Sequence, residues 1–190
     1  VDLKGQLIVD ALAQHFDGGG NHLDLAGGQL GVLALTLPDD TGNGNGGLLV
    51  QQLDTDTKEV VAEMCATDRK PSAQELEDMN FGWRIVKHVK SNAIAVVKNG
   101  ATLGVGAGQM NRVGSAEIAL KQAQAAGHTE GLVLASDGFL PFDDTVAFAA
   151  EYGVTAIVQP GGSVRDEDSI KKANELGITM LFTGMRHFKH

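Results

Sequence analysis

From residue 71 onward, apolar positions recur first with a helical period and then in short runs separated by such periods. Leu76, Met79, Trp83 and Val86 repeat every three or four residues, which puts them on one stripe of a helix. Pro71-Ser72 opens that helix, and Glu75 follows Ser72 at the spacing of a capping box. The stripe carries the helix to about His88 and makes Met79 and Trp83 core residues. Ala93 to Lys98 and Ala101 to Val105 read as strands flanking Asn99-Gly100, a pair suited to a two-residue type I′ turn. The spacing then predicts helices over about 113–126, 145–152 and 166–176, closed by Gly127, Gly153 and Gly177. Strands are expected at 132–135, 155–159 and 178–183. Strands alternating with short helices form βαβ crossovers. The expected fold is therefore α/β, a mixed, mainly parallel sheet flanked by helices, with the hairpin as its antiparallel edge.

The first part of the chain is patterned differently. Leu7, Ile8, Ala11, Leu12 and Phe16 have helical spacing and end at Asp17-Gly-Gly-Gly20. Leu30 to Leu37 reads as a strand stopped by Pro38, and Leu48 to Gln52 as another. Between them lies the low-complexity loop Thr41 to Gly47; 11 of the chain's 25 glycines fall within residues 1–47. The loop lacks the Lys-Ser/Thr pair of a phosphate-binding P-loop, so a flexible connection is the favoured reading.

At 190 residues the chain is sized for one domain, or a domain with an appendage. Its single cysteine, Cys65, excludes a disulfide framework and a cysteine-based zinc site and fits a reducing, intracellular setting. No signal peptide and no apolar run long enough to cross a bilayer are visible. The formal charge of −9 argues against non-specific nucleic-acid binding. An anionic ligand needs a local basic pocket, for which Lys87, Lys90, Lys98, Arg112, Arg186 and Lys189 are candidates. For each of them, ordinary surface charge is the alternative.

Ligands of open α/β sheets gather beyond the carboxyl ends of the strands. Loops 104–112, 136–144 and 159–166 and the tail 184–190 leave those ends. They bring Gln109, Arg112, Asp137, Asp144, Arg165, Arg186, His187 and His190, with Asn92 nearby, among Phe139, Phe142 and Phe188. This mixture suits a planar heterocycle carrying a phosphate better than a metal. Gly104, Gly106 and Gly108 do not have dinucleotide-binding spacing; they read as a close-approach stretch that admits substrate. Ser136-Asp137 has no histidine at an informative spacing. His187-x-x-His190 would make a poorly preorganised metal site. Pro160-Gly-Gly-Ser163 is either an anion site at a helix N-terminus or a turn capped by Ser163 or Asp166, and the turn is favoured.

Five segments together resemble one family. They are Lys90-Ser-Asn-Ala-Ile94, Gly104-x-Gly-Ala-Gly-Gln-Met-x-Arg112, Ala135-Ser-Asp-x-Phe139, Gln159-Pro-Gly-Gly-Ser163 and Phe182-Thr-x-x-Arg-His-Phe-x-His190. The family is the AICAR formyltransferase domain of the bifunctional purine-biosynthesis enzyme, which also carries IMP cyclohydrolase. The likeness runs from about Gly46 to His190, giving a C-terminal subdomain at 46–190 and a poorly matched segment at 1–45. It implies a cytidine-deaminase-like subdomain, the second of two, and transfer of a formyl group from 10-formyltetrahydrofolate to AICAR, giving FAICAR. Asn92, Arg112 and Arg186 would bind that substrate, and Phe139, Phe142 and Asp144 the folate. A structural potassium ion would involve Val86, Val89, Ser91 and Asp137. A cytoplasmic location follows from the same likeness. So does a homodimer or pairing with a first-half subunit; the net charge and the lack of a long apolar run argue against a nucleic-acid or membrane partner.

The resemblance assigns no catalytic residue here. The family's catalytic Lys-His pair belongs to the first subdomain, which like the cyclohydrolase domain has no match in this sequence, and Lys87-His88 sits at a helix end in a different motif. Gly138, Leu140 and Asp143 stand where the family usually has Ala, Phe and Arg, and Asp143 beside Asp144 gathers negative charge where folate would lie. The chain is thus expected to supply the second half of a formyltransferase site and to be inactive alone. The alternative is a non-catalytic purine-nucleotide-binding or regulatory subunit.

Overall fold

The computed structural model describes residues 54–56 and 58–190, and the backbone of three earlier strands at 22–25, 28–35 and 48–52. The chain divides into two compact units, Val1–Thr55 and Asp56–His190. In the first unit, β1 (His22–Leu25), β2 (Gly28–Leu35) and β3 (Leu48–Gln52) form an antiparallel sheet in that order. Leu30 pairs with Gln52, and the register slips between Val32 and Ala34. The expected helix at 1–16 and loop at 41–47 lie outside the described residues.

The second unit opens with a 3-10 turn at Ala62–Met64 and then follows the predicted alternation. Its elements are α1 (Ala73–Val86), β4 (Ile94–Lys98), β5 (Ala101–Gly106), α2 (Arg112–Ala125), β6 (Leu132–Ser136), α3 (Asp143–Glu151), β7 (Val154–Gln159), α4 (Asp166–Glu175) and β8 (Thr179–Phe182). The sheet order is β5-β4-β6-β7-β8. β4 runs antiparallel to both β5 and β6, whereas β6, β7 and β8 pair in parallel. Four strands therefore point one way and β4 alone is reversed.

Both faces of β4, β6, β7 and β8 are buried, so these strands read as unbroken apolar runs, whereas the edge strand β5 is partly exposed. Ile94, Val96, Leu132, Leu134, Ile157 and Met180 face the three helices α2, α3 and α4. Ala95, Val97, Val133, Ala135, Ala156, Val158 and Leu181 face α1, where Met79, Trp83 and Val86 are buried as the helical stripe predicts. Local signals are realised in detail. Ser72 accepts from the Glu75 N–H, and the Glu75 carboxylate accepts from the Ser72 N–H, completing the capping box. Asn99 and Gly100 both have positive φ, as a type I′ turn requires. The buried Asp78 carboxylate accepts both of their N–H groups, at 2.9 and 2.7 Å.

Gly104 and Gly106 are a correction to the reading that they admit substrate. A Cβ at Gly104 would lie 2.8 Å from the Ala119 carbonyl carbon, and one at Gly106 would lie 2.6 Å from that of Ser115. Their missing side chains seat the backbone of α2 directly on β5.

Glu75 also clips distant pieces together. It pairs with Arg69 through both carboxylate oxygens and accepts from the Thr155 hydroxyl at 2.8 Å, while Arg69 Nε donates to the Gly177 carbonyl at 2.7 Å. Burial alone would push the Glu75 carboxyl up. Hydrogen bonds from Arg69, Ser72 and Thr155 outweigh that and hold it at about 2, against an ordinary 4.5. A depressed carboxyl stabilises the fold above its unfolded value and loses that contribution as pH falls. Denaturant midpoints should therefore drop between about pH 5 and pH 2 by the equivalent of about 2 kcal/mol, a value discounted for partial solvent exposure. In Glu75→Gln that share of the drop should vanish.

Candidate functional site

The reversal of β4 decides which residues meet. Ile94 at its start pairs with Gly106 at the end of β5 and with Ser136 at the end of β6. The segment before β4, the loops after β5, β6 and β7 and the tail after β8 therefore share one edge of the sheet. Asn92 N–H and Nδ2 both donate to the Gln109 carbonyl, at 3.3 and 2.9 Å, and Gly108 N–H donates to the Lys90 carbonyl at 2.7 Å. The two segments are thus laced together, with the Ser91–Asn92 peptide bond cis.

Arg112 is the first residue of α2, whose N-cap Asn111 accepts from the Gly114 N–H. A cation there opposes the helix dipole, and a fully buried carboxylate offsets it: Arg112 pairs with Asp137. The same guanidinium donates to Asn92 Oδ1 at 2.9 Å and to Ser136 Oγ at 3.3 Å. Asp137 also accepts from the Ser91 hydroxyl, and its carbonyl accepts from the His187 N–H at 2.9 Å. The structure thus brings Asn92, Arg112, Ser91 and Asp137 into one internal network that ties β4, α2, the loop after β6 and the tail.

Phe139, Phe142 and Arg186 stand on the outer side of that network. The Arg186 guanidinium lies 5.3 Å from the Phe139 ring centroid and 5.9 Å from that of Phe188, and it makes no hydrogen bond or ion pair to a described residue. Phe142 is half exposed beneath Arg165, whose guanidinium is 5.3 Å from the ring. Asp144 is exposed in the first turn of α3, where its carboxylate accepts from Thr145. The Arg165–Phe142 pair was not singled out from sequence beyond the naming of both residues. Its signal is the placement of both in loops that leave neighbouring parallel strands.

The Pro160–Ser163 segment is the turn form. Asp166 accepts the Gly162 and Ser163 N–H groups at 2.7 and 3.2 Å, so those donors at the start of α4 already hold a carboxylate. His187 is buried, its ring 4.3 Å from that of Trp83, and His190 lies 6.2 Å from the Phe188 ring. Lys87 and His88 end α1 as expected, with the His88 N–H donating to the Ile85 carbonyl. Among the described residues, no group of three or more His, Cys, Asp or Glu side chains is set to hold a metal.

The oxygens near residues 86–91 suit a hard monovalent cation in type, being backbone carbonyls at the C-terminal end of a helix. Asp137 fits less well as a carboxylate ligand, because its two side-chain oxygens are engaged by Ser91 and Arg112. Val86, Val89 and Ser91 would hold such an ion through carbonyl oxygens, where it would neutralise the helix end.

A three-layer α/β subdomain with a cationic, aromatic rim at its strand ends is the class that fold and site define. Residues 34–122 match the AICARFT/IMPCHase bienzyme family. The chain is 62% identical over 145 residues to the bifunctional purine biosynthesis protein PurH of Anoxybacillus flavithermus, covering 76% of this chain and 28% of that protein. PurH of Parasynechococcus marenigrum is 56% identical over 159 residues, covering 84% and 30%. The chain thus spans less than a third of the length of these relatives. A Thermotoga maritima diaminohydroxyphosphoribosylaminopyrimidine deaminase/reductase aligns with 56% of the chain at 17% identity and a TM-score of 0.39, a likeness that carries no argument.

Proposed function

We propose that this chain works in purine biosynthesis by supplying one half of a site for formyl transfer from 10-formyltetrahydrofolate to the 5-amino group of AICAR. The observation that carries the reading is Arg186 held between Phe139 and Phe188, with no carboxylate among the described residues paired to its guanidinium. A fork-shaped cation suits a phosphate, and aromatic faces beside it suit flat heterocycles. Phe142 and Asp144 extend this surface toward the folate. Asn92, Arg112 and Asp137 act through positioning: they hold the Phe139 loop and the tail to each other. The strong identity to PurH proteins supports the same reading.

Formyl transfer needs a base for the amine proton and a donor for the developing oxyanion. His88 ends a helix and His187 is packed on Trp83. Neither ring is among those beside Arg186, which are Phe139 and Phe188. The catalytic pair is therefore proposed to come from a second polypeptide segment, brought in by self-association or by a first-half subunit in the cytoplasm. The 190 residues alone are expected to bind AICAR in titration calorimetry and to give no FAICAR; mixing with a polypeptide carrying the family's Lys-His segment should restore turnover. Turnover by the pure chain would overturn the half-site reading. A purely regulatory subunit would instead show binding and no turnover in either case. Arg186→Ala should weaken AICAR by about tenfold or more, as befits a charge-assisted phosphate contact, and the bare riboside far less.

A further inference from the structure

Behind the rim lies a second concavity that the proposed reaction does not use. Its volume is about 390 Å³ and it is lined by Asp56, Lys58, Trp83, Arg84, Lys87, His88 and His187. That volume lies within the range of small-ligand pockets. Lys58, Arg84 and Lys87 put three cations on its wall, Lys87 donating to the Asp56 carbonyl, and the Lys189 ammonium is close by, donating to the His88 carbonyl at 3.2 Å. Among the described residues Asp56 is the one acid on the wall, with Glu59 just outside it paired to Arg84 at 3.1 Å. Arg84 and Lys87 sit at the C-terminal end of α1, where they also complement the helix dipole. Lys58 lies outside that helix, and no dipole accounts for it.

Two further features separate this concavity from ordinary surface charge. Its floor is a buried aromatic pair, Trp83 and His187. The indole Nε1 of Trp83 is buried and has no hydrogen-bond partner among the described residues, a rare state for a group that normally finds an acceptor. Polar and apolar walls around a rigid ring are the make-up of a small-molecule site rather than of a flat contact.

We propose that this concavity is an anion site for a small phosphate-bearing ligand, separate from the rim. The chain's overall charge of −9 repels an extended polyanion, whereas screening over about 8–10 Å lets a compact anion respond to the local cations. The concavity is also adjacent to the rim through the tail: His187 lies against Trp83 while its neighbours Arg186 and Phe188 contact each other on the other side.

Trp83 is the chain's single tryptophan and lines this concavity, so its fluorescence reports on it. Titration of the 190-residue chain with inorganic phosphate and with ribose 5-phosphate should give a saturable change in emission, with KCl at matched ionic strength giving none. Lys58→Ala, a surface change that leaves folding to be checked by thermal melting, should weaken the response about fivefold to tenfold, the usual scale for one charge-assisted contact. Arg186→Ala should leave it unchanged. A response absent, matched by KCl or lost in Arg186→Ala would overturn the proposal. So would full retention in a folded Lys58→Glu variant.

Discussion

Arg112→Ala is expected to cost about 3–5 kcal/mol of stability, the scale seen when one partner of a buried ion pair is removed. The loss arises less from the missing attraction than from what remains. Asp137 is fully buried, and without Arg112 its charge keeps only the Ser91 hydroxyl as a side-chain donor. Asn92 and Ser136 lose a partner at the same stroke. The double variant Arg112→Ala/Asp137→Asn should recover a large part of the loss, because an amide does not carry the desolvated charge. Denaturant melts of the two single variants and the double one complete the cycle. Were Arg112 chiefly a ligand for substrate, its removal would leave the midpoint in place and only weaken AICAR.

Gly106→Ala should be the second most damaging single change. Overpacking by one methyl group typically costs about 1–3 kcal/mol, and this site stands at the upper end because the obstacle is backbone. The new Cβ would meet the Ser115 carbonyl group, which cannot rotate away as a side chain would. α2 would have to lift from β5, and Ala116, Ala119 and Leu120 would lift with it from the core. Gly100→Ala, in the exposed turn with open space around it, offers the contrast. It strains only the local backbone at φ +69° and should cost about 1 kcal/mol. A thermal midpoint that fell equally in both would remove the packing argument.

Much of the fold was legible because its signals are local. Ser72 and Glu75 announce a helix start, Asn99-Gly100 a turn, and Gly127, Gly153 and Gly177 the helix ends that their φ of 86°, 83° and 67° then require. Each is settled within about five residues. The direction of β4 against β6 is not local; it depends on 30-odd intervening residues, and apolar runs look alike whichever way a doubly buried strand points. For the same reason the glycines of β5 were read toward a ligand, when the object they accommodate is a helix. A usable signal was present: Gly104 and Gly106 in the strand face Ala119 and Ser115, four apart, in the helix that follows.

The rim residues were found by type and loop position, but their division of labour was not. Arg112 and Arg186 are both arginines beside aromatic loops in sequence, yet one is enclosed by Asp137, Asn92 and Ser136 and the other lies over two phenyl rings. Partners fixed by the fold, rather than residue type, make the difference. Glu75 is similar: its capping role is visible over three residues, while its grip on Arg69 and Thr155 spans up to 80.

The tail after β8 carries a constraint of its own. Its exposure alternates, with Arg186 outward, His187 inward and Phe188 half out again. Such a ribbon tolerates exchange of one outward group for another, yet a single residue inserted after Thr183 would invert its parity. The guanidinium would then be driven toward Trp83 and the imidazole sent to the rim. The span between β8 and Phe188 is therefore fixed in length more tightly than in composition.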